Sequence, residues 1–466
     1  VMDTMAHSQW LHDVRENVEN YPIAAGDLKF DIAVIGGGFV GLWTSIFIKQ
    51  LEPNARVAVF EKDQVGHGAS GLNGGFLMTW WPKLASLRTM CGTDDALWLA
   101  DQTTESVSAI GEFLRDNDID ADFTEAGWIW AATLAKHAGS WNGIVDLCRK
   151  LGRDRIFHVL EQEDVARRTG SSIHVAGVLE RRSGTVHPGK LVAGLARVAR
   201  QLGVAIYEDS PVLHFARTSP SVLQTRKARI VCDKVILATN AWTTEVSELS
   251  PYLFNIASSV IATEKIPGLL EKIGWTGGES IADSQSLVNY YRTTRDGRII
   301  FGQGGGSVLY SGNSLSQKLR FDRDIANTIS DFNRIYPMLR DVVIDKSWSG
   351  PIDRSYNGLP LLGRLQSSPN ILYGFGWSGN GVNPSRIGGR ILAGLALDRK
   401  ERWTENGLVN GKARRFPPRL FGYLGGTAIR GALARKDVAE KAERPMLALD
   451  RMLVKLAPAG LEDKIE

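Results

Sequence analysis

The apolar positions of the chain fall into two alternating patterns. Asp31–Ile35 (DIAVI) is a short apolar run of strand length. Phe39–Leu51 (FVGLWTSIFIKQL) is apolar nearly all round, which predicts a buried helix. Arg56–Glu61 (RVAVFE) follows as a second strand, so a βαβ unit closes within about 30 residues. Helical periodicity is read over 105–116 and 136–151, and Gly127–Thr133 (GWIWAAT) reads as an aromatic strand. Pro188–Leu202 is predicted to be a helix, with proline in its first turn where a missing N–H costs nothing. The strand Val204–Tyr207 follows it, then the apolar strand Ala228–Ala238. Residues 256–320 hold several β-rich runs, among them Leu287–Thr293 and Arg298–Gly302. Ile371–Gly376 is a last strand and Pro384–Leu397 a last body helix, while residues 1–30 read as a polar lead-in. Strands and helices alternate at both ends with β-rich material between, which predicts an α/β domain interrupted by an insert.

The first turn of the βαβ unit carries Gly36-Gly37-Gly38-Phe39-Val40-Gly41, a GxGxxG pattern. Alone it is weak. Here it leaves a strand, opens a helix and is followed by Glu61 at the end of the second strand, the dinucleotide fingerprint. Gly36 permits the tight turn, Gly38 lets backbone approach a pyrophosphate at the positive helix end, and Gly41 lets helix and strand pack closely. A carboxylate at Glu61 accepts ribose hydroxyl protons and repels a 2′-phosphate, which disfavours NADP. A Gly-rich turn without a ligand would not need all four features in this order. The fingerprint does not separate NAD from FAD.

The next stretch does. Val65-Gly66-His67-Gly68-Ala69-Ser70-Gly71-Leu72-Asn73-Gly74-Gly75 is small and polar, suited to wrapping an extended ligand. Here the chain resembles the D-amino-acid-oxidase-like FAD oxidoreductases, which include glycine, sarcosine and γ-glutamylputrescine oxidases. Their pattern is similar to GxGASGRNGG, and Leu72 stands where arginine is common. Val186-His187-Pro188, leading to Ser210-Pro211-Val212, resembles the family's helix and strand, whose residue at Val212 meets the adenine. Val235–Trp242 (VILATNAW) resembles the strand that ends beside the cofactor. Trp348-Ser349-Gly350, Gly358-Leu359-Pro360, Gly363 and Gly374–Val382 resemble the segment whose backbone N–H groups face the flavin N1/O2 edge. A finer resemblance, in Gly74–Lys83 and Arg415-Phe416-Pro417-Pro418, is to aminophosphonate oxidoreductases near the γ-glutamylputrescine branch.

The resemblance implies a Rossmann-like FAD-binding domain that is discontinuous, with an inserted β-rich substrate domain and a helical C-terminal extension. The expected boundaries are 1–30 for the lead-in, 31–90, 185–255 and 341–400 for the FAD-binding domain, 91–184 and 256–340 for the substrate domain, and 401–466 for the extension. FAD is expected to be held non-covalently by Gly36, Gly38, Phe39, Val40, Gly41, Glu61, Lys62, Gly68, Ala69, Ser70, Leu72, Asn73, Gly74, Gly75, Val212, Ala238, Thr239, Trp242, Gly376, Gly379, Asn380, Gly381 and Val382. His67, beside the Gly68-Ala69-Ser70 turn, is the alternative of covalent attachment. The implied reaction is oxidation of a C–N bond in a small amine. Hydride passes to flavin N5, the imine is hydrolysed to aldehyde plus amine or ammonia, and O2 is the expected electron acceptor, giving H2O2.

Family amino-acid oxidases carry a pattern like W-x-G-L-R-P, with the arginine gripping the substrate carboxylate. Here the match is Trp348-Ser349-Gly350-Pro351-Ile352-Asp353-Arg354, with Ile352 at the arginine position. The bidentate grip is missing there. This favours an amine whose acidic group lies far from the reacting carbon, of the aminophosphonate or γ-glutamyl-polyamine type. An oxidase of an N-methylated or simple amino acid stays open if Arg354 turns inward or Arg292 does the gripping. Tyr290 and Arg292 are expected on one face of their strand. Trp80 and Trp81 are candidates for an aromatic wall around a cationic amine, and Lys83, Trp348 and Trp377 for places near the flavin. Core or surface roles compete at each of these positions. No catalytic base stands out, and no His/Cys/Asp/Glu cluster has metal-ligand spacing.

Charge changes one part of this picture. Of 55 basic and 51 acidic residues, 13 basic and 9 acidic lie in 401–466, so the whole excess of +4 belongs to the extension and the body is neutral. A neutral body excludes nucleic acid as the expected partner. The three cysteines are far apart and form no CxxC, there is no apolar leader, and no run of about 18 apolar residues exists; a cytoplasmic protein is expected. Residues 427–457 read as helices, with Met446, Leu447, Leu449, Met452, Leu453 and Leu456 beside Arg451 and Lys455. Such a face suits a membrane surface, on which the protein would act as a dehydrogenase handing electrons to a partner. The breaks at Pro417-Pro418, Pro445 and Pro458 favour packing on the body or on a second subunit.

Overall fold

A computed structural model describes residues 8–16, 19–310, 321–411, 413–460 and 462–463. The fold is mixed α/β and built on two large sheets. The first runs in the order Leu361–Leu365, Ser368–Phe375, Ala228–Leu237, Gly26–Ile35, Val57–Phe60, Ala205–Tyr207. Its four central pairings, from Ser368–Phe375 to Ala205–Tyr207, are parallel, and Leu361–Leu365 caps one edge antiparallel. Val57–Phe60 is buried along its whole length because helices cover the sheet. Phe39–Leu51 and Pro384–Ala396 pack together with Trp43 between them, and a Cβ on Gly389 would sit 2.6 Å from the Trp43 Cβ.

The second sheet runs Ile344–Arg354, Phe254–Thr263, Ile299–Gln303, Asn289–Thr293, Ser280–Asp283, Trp128–Ala132, Ala176–Glu180, Phe157–Leu160. All its pairs are antiparallel except Ser280–Asp283 with Trp128–Ala132. This pairing corrects one expected boundary. Ile344–Arg354 was assigned to the FAD domain, yet it hydrogen-bonds along Phe254–Thr263 in the second sheet. The part of the β-rich stretch at 311–320 lies outside the described residues.

Three other expectations change. The helix read over 105–116 runs Thr93–Asp116, because Ala96, Leu99 and Ala100 continue its buried face. The helix read over 136–151 is Asn142–Lys150, with Gly139 at φ +82° breaking the earlier turn. The lead-in is not peripheral. Gly26–Phe30 extends the central strand, and a short helix, Gln9–Val14, buries Trp10 at 1% exposure. The described residues of the extension form a one-turn helix, Arg402–Glu405, a long helix, Arg419–Lys441, and a short one, Ala448–Val454. No described helix is long and apolar enough to cross a membrane.

Candidate functional site

A cavity of about 2140 Å³ opens at the carboxyl ends of the parallel strands and continues to the second sheet. Small-molecule pockets span about 300–1,000 Å³, so this one has room for an extended dinucleotide and a second ligand. Gly36, Gly38, Phe39, Val40, Glu61, Lys62, Gly68, Ala69, Ser70, Leu72, Asn73, Gly74, Val212, Ala238, Thr239, Trp242, Gly379, Asn380, Gly381 and Val382 all line it. Gly41, Gly75 and Gly376 do not. They stand behind the wall, for reasons of packing.

The fingerprint turn is built by close approach. Gly36 takes φ +113°, and a Cβ there would meet the Ala238 carbonyl oxygen at 2.5 Å. A Cβ on Gly41 would lie 2.0 Å from the Gly36 carbonyl oxygen. Both spaces must stay empty for helix and sheet to meet. Glu61 closes the turn from the neighbouring strand, accepting the Gly37 N–H at 2.8 Å and the Asp63 N–H at 3.0 Å. Burial pushes its carboxyl upward, and those two N–H bonds pull it back. Ser70 Oγ accepts the Phe39 N–H at 2.9 Å, tying the wrapping loop to the helix start. Lys62 Nζ lies 4.4 Å from the centre of the Trp242 ring.

The wrapping loop is fixed by its own side chain and by bracing residues. Asn73 Nδ2 donates to the Ala69 and Ser70 carbonyls at 3.0 and 2.8 Å, and its Oδ1 accepts the Gly75 N–H at 2.7 Å. Trp10 Nε1 donates to the Asn73 carbonyl at 2.7 Å and Trp348 Nε1 to the Leu72 carbonyl at 3.0 Å. Leu72, in the place of the family's arginine, is buried against these tryptophans. His67 is not among the lining residues, although Gly68, Ala69 and Ser70 are.

The predicted substrate residues divide. Tyr290, Arg354 and Trp377 line the cavity. Tyr290 is set by glycine on two sides, with its ring 2.2 Å from where a Gly302 Cβ would be and 2.9 Å from one on Gly74. Its hydroxyl meets Ser258 Oγ at 2.8 Å, and burial pushes it up to about 12. Arg292 does lie on the Tyr290 face of the strand, but it is walled off. Its Nη1 donates to the Gly75 and Val186 carbonyls at 3.0 and 2.7 Å, so it fastens the loop and reaches no ligand. Trp348 is likewise a brace. Trp80 and Trp81 are fully buried in the main core, where Trp81 Nε1 donates to Thr104 Oγ1 at 2.9 Å, so neither forms an aromatic wall. Lys83 is buried just behind the cavity wall and pairs with Asp463.

Asp353 was not singled out from the sequence. Its carboxylate accepts the N–H groups of Gly376 and Trp377 at 2.6 and 3.0 Å and so shapes the turn that leads to Gly379–Val382. Burial raises its pKa to about 7 against those bonds. The signal in the sequence was an acidic residue on the opposite strand face from Ile352 and Arg354. Tyr356 was missed as well. It lines the cavity beneath Arg414, whose Nη1 donates to its hydroxyl at 2.6 Å.

The extension docks on the body and completes the cavity. Asp437 accepts the N–H groups of Ser286 and Leu287 at 3.0 and 2.8 Å, Arg430 pairs with Asp324 at 2.8 Å, and Glu440 takes His137 and Lys136 at 2.9 and 3.0 Å. Phe421, Gly425, Ile429, Leu433 and Lys436 of the long helix line the cavity, as do residues 456–460, 462 and 463.

The family model described as "DAO: FAD dependent oxidoreductase" matches residues 31–395. The chain belongs to this family. Among curated relatives, it is 30% identical over 383 residues to the "Probable oxidoreductase OrdL" of Haemophilus influenzae, covering 80% of this chain and 84% of that one. It is 28% identical to the "Gamma-glutamylputrescine oxidoreductase" of Escherichia coli, covering 80% and 85%. Among solved structures, the glycine oxidase of Geobacillus kaustophilus superposes with a TM-score of 0.67 at 21% identity, over 80% of this chain and 96% of that one. The protein is therefore an FAD-dependent oxidoreductase of amine-type donors, and the glycine cradle, the Glu61 carboxylate and the cavity's length fit that cofactor. Residues 396–466 lie beyond the family match.

Proposed function

We propose that the protein oxidises a C–N bond of a small amine whose acidic group lies far from the reacting carbon, of the γ-glutamyl-polyamine or aminophosphonate type. One observation carries this reading. Ile352 and Arg354 both line the cavity from the same face of their strand, while the Asp353 carboxylate between them is taken up by the Gly376 and Trp377 N–H groups. Ile352 sits beside the Gly379 turn, its Cδ1 3.6 Å from where a Gly379 Cβ would be. Arg354, the cation next along that face, is two residues, about 7 Å, beyond the position where the family's amino-acid oxidases place arginine. A compound such as γ-glutamylputrescine, from which the 28% identical relative takes its name, has its carboxylate at the far end from its putrescine amine.

FAD, when bound, supplies the two-electron oxidation of the amine carbon. Gly36 to Gly41 and the Ser70 loop would hold its pyrophosphate, Glu61 its ribose, Val212 its adenine, and the backbone of Gly379–Val382 its flavin edge. Held without a covalent link, it would depend on these contacts alone. The residues around the amine favour its neutral, reactive form. Ile352 and Trp377 would desolvate it. O2 is the proposed acceptor.

The test is peroxide release from the FAD-loaded protein with a panel of amines. Amines without an α-carboxylate should show the higher kcat/KM. Faster turnover of glycine, sarcosine or D-alanine would overturn the reading and favour a simple amino acid gripped by Arg354. A second reading, a dehydrogenase resting on an anionic membrane surface, is favoured by the outer face of the extension. There Leu420, Phe421, Leu424, Leu447, Leu449 and Met452 are exposed beside Arg451 and Lys455. Asp437 and Asp450 are turned inward, so the outer face is apolar and basic.

A further inference from the structure

Lys83 is a buried cation that the proposed chemistry does not use. Its side chain is 1% exposed, and its partner comes from the far end of the chain. Asp463 Oδ1 accepts Lys83 Nζ at 2.7 Å and Ser86 Oγ at 2.6 Å, and its Oδ2 accepts the Ser86 N–H at 2.7 Å. An ammonium, a hydroxyl and an amide thus converge on one carboxylate, which is 8% exposed. The donors belong to the family-matched body, just after the wrapping loop. The acceptor belongs to residues 396–466, beyond that match. Ser86 and Asp463 both line the cavity, with Lys83 directly behind them. A few ångströms along the same wall, the Arg354 guanidinium donates to the Ala459 carbonyl, and the Ala459 N–H donates to the Tyr356 carbonyl at 3.1 Å. The end of the chain is therefore laid along the cavity by its polar groups.

We propose that Lys83 and Ser86 form a carboxylate-binding subsite of the cavity, that Asp463 fills it in the absence of ligand, and that a carboxylate-bearing ligand takes the place of Asp463. The exchange swaps one carboxylate for another, so Lys83 is never left buried and unpaired, the strongly unfavourable state. Because Asp463 is tethered, it competes at an effective concentration in the millimolar range for a short flexible segment. A simple carboxylate displaces it only above that concentration, and at lower concentrations only ligands that gain further contacts in the cavity do. The subsite would then be selective for a ligand with a carboxylate at one end and an amine at the other. The proposal rests on reading the cavity as the substrate site, but its test needs no turnover, so the two fail separately.

The experiment is calorimetric titration of the FAD-loaded full-length protein with butyrate, with methylphosphonate as a second oxyanion. Asp463→Ala should bind butyrate at least tenfold more tightly than the wild type, and adding Lys83→Met should abolish the gain. In the wild type, saturating butyrate should speed proteolytic cleavage after residue 456. A plain structural tether would not give that result. Equal affinity in wild type and Asp463→Ala, binding that survives Lys83→Met, or cleavage unaffected by butyrate would each overturn the proposal. If methylphosphonate alone shows these effects, the subsite is for phosphonate and the carboxylate assignment falls. Should Asp463→Ala not fold, Asp463→Asn serves in its place, with the same outcomes decisive.

Discussion

At the scale of single residues, the site depends on atoms that are absent and on charges that are misplaced by ordinary standards. A methyl group at Gly41 would overlap the Gly36 carbonyl, and backbone cannot yield as a flexible side chain would. Gly41→Ala should lose bound FAD almost completely and destabilise by about 1–3 kcal/mol, read as flavin absorbance of the purified protein and as Tm. Glu180 shows the other case. Its carboxyl is buried, accepts from Ser183 and, at 3.2 Å, from Thr79 Oγ1, yet burial still pushes it up to about 7. A folded pKa above the unfolded value means that stability is fullest at low pH and is lost as pH rises toward and through 7. Glu180→Gln, which cannot ionise, should therefore gain Tm relative to the wild type as pH goes from 5 to 8. A difference that shrinks over that range would show the sign to be wrong. Glycine spacing made Gly36 and Gly41 legible in the sequence. Glu180 was not legible, because nothing near it in the chain indicates that Thr79, about a hundred residues earlier, closes over it.

At the scale of elements, local pattern identified most strands and helices because each carries its own period. Pro188–Gln201 and Pro384–Ala396 begin and end within a residue of their expected limits. Where expectation failed, a partner distant in the sequence decided. The first half of Thr93–Asp116 carries three aspartates and three threonines and lay outside the expected helix, and it is held by packing under Pro384–Ala396 and beside Leu84–Cys91. Trp80 and Trp81 looked available for a ligand, yet they are buried against the Thr93–Asp116 helix, with the Trp80 N–H on Thr103 Oγ1 and Trp81 Nε1 on Thr104 Oγ1. The long helix of the extension belongs here as well, since Asp437, near its C-terminal end, fastens it to the loop between Ser280–Asp283 and Asn289–Thr293. Asp437→Ala strips two N–H groups of their acceptor, one of them buried, at a cost of about 1–3 kcal/mol. Limited proteolysis should then cut within 441–447 faster than in the wild type, while FAD, bound at the other end of the cavity, stays in place. Loss of FAD together with the helix would contradict this division.

At the scale of the molecule, the extension changes what the protein is. The family fold supplies the cofactor cradle and most of the cavity lining, and the extension supplies a wall from its long helix and from its last described residues. Its outward face remains apolar and basic. Vesicles containing anionic lipid should sediment the full-length protein at low salt, while neutral vesicles should not, and removal of 401–466 should abolish the effect. If full-length protein stays in the supernatant with both, the membrane reading is excluded, and a second copy of the chain becomes the occupant to test by its mass in solution. Acid precipitation at this scale also reports on the cofactor: a yellow supernatant is expected if FAD is held without a bond to His67.

The sequence by itself determined the cofactor cradle. Its residues lie close together in the chain and act through backbone geometry, which glycine positions write directly into the sequence. It also determined that the common arginine is missing at Ile352 and that the net charge sits in 401–466. Only the tertiary structure decided which side chains reach a ligand. Arg292 and Arg354 look alike as arginines on strands, and one is spent on three carbonyls while the other borders the cavity. The same holds for the charged tail. Its composition raised the question of where it docks. The answer came from Lys83 meeting Asp463 across 380 residues, because the cost of burying a charge can be met by any partner the fold brings near, wherever it lies in the chain.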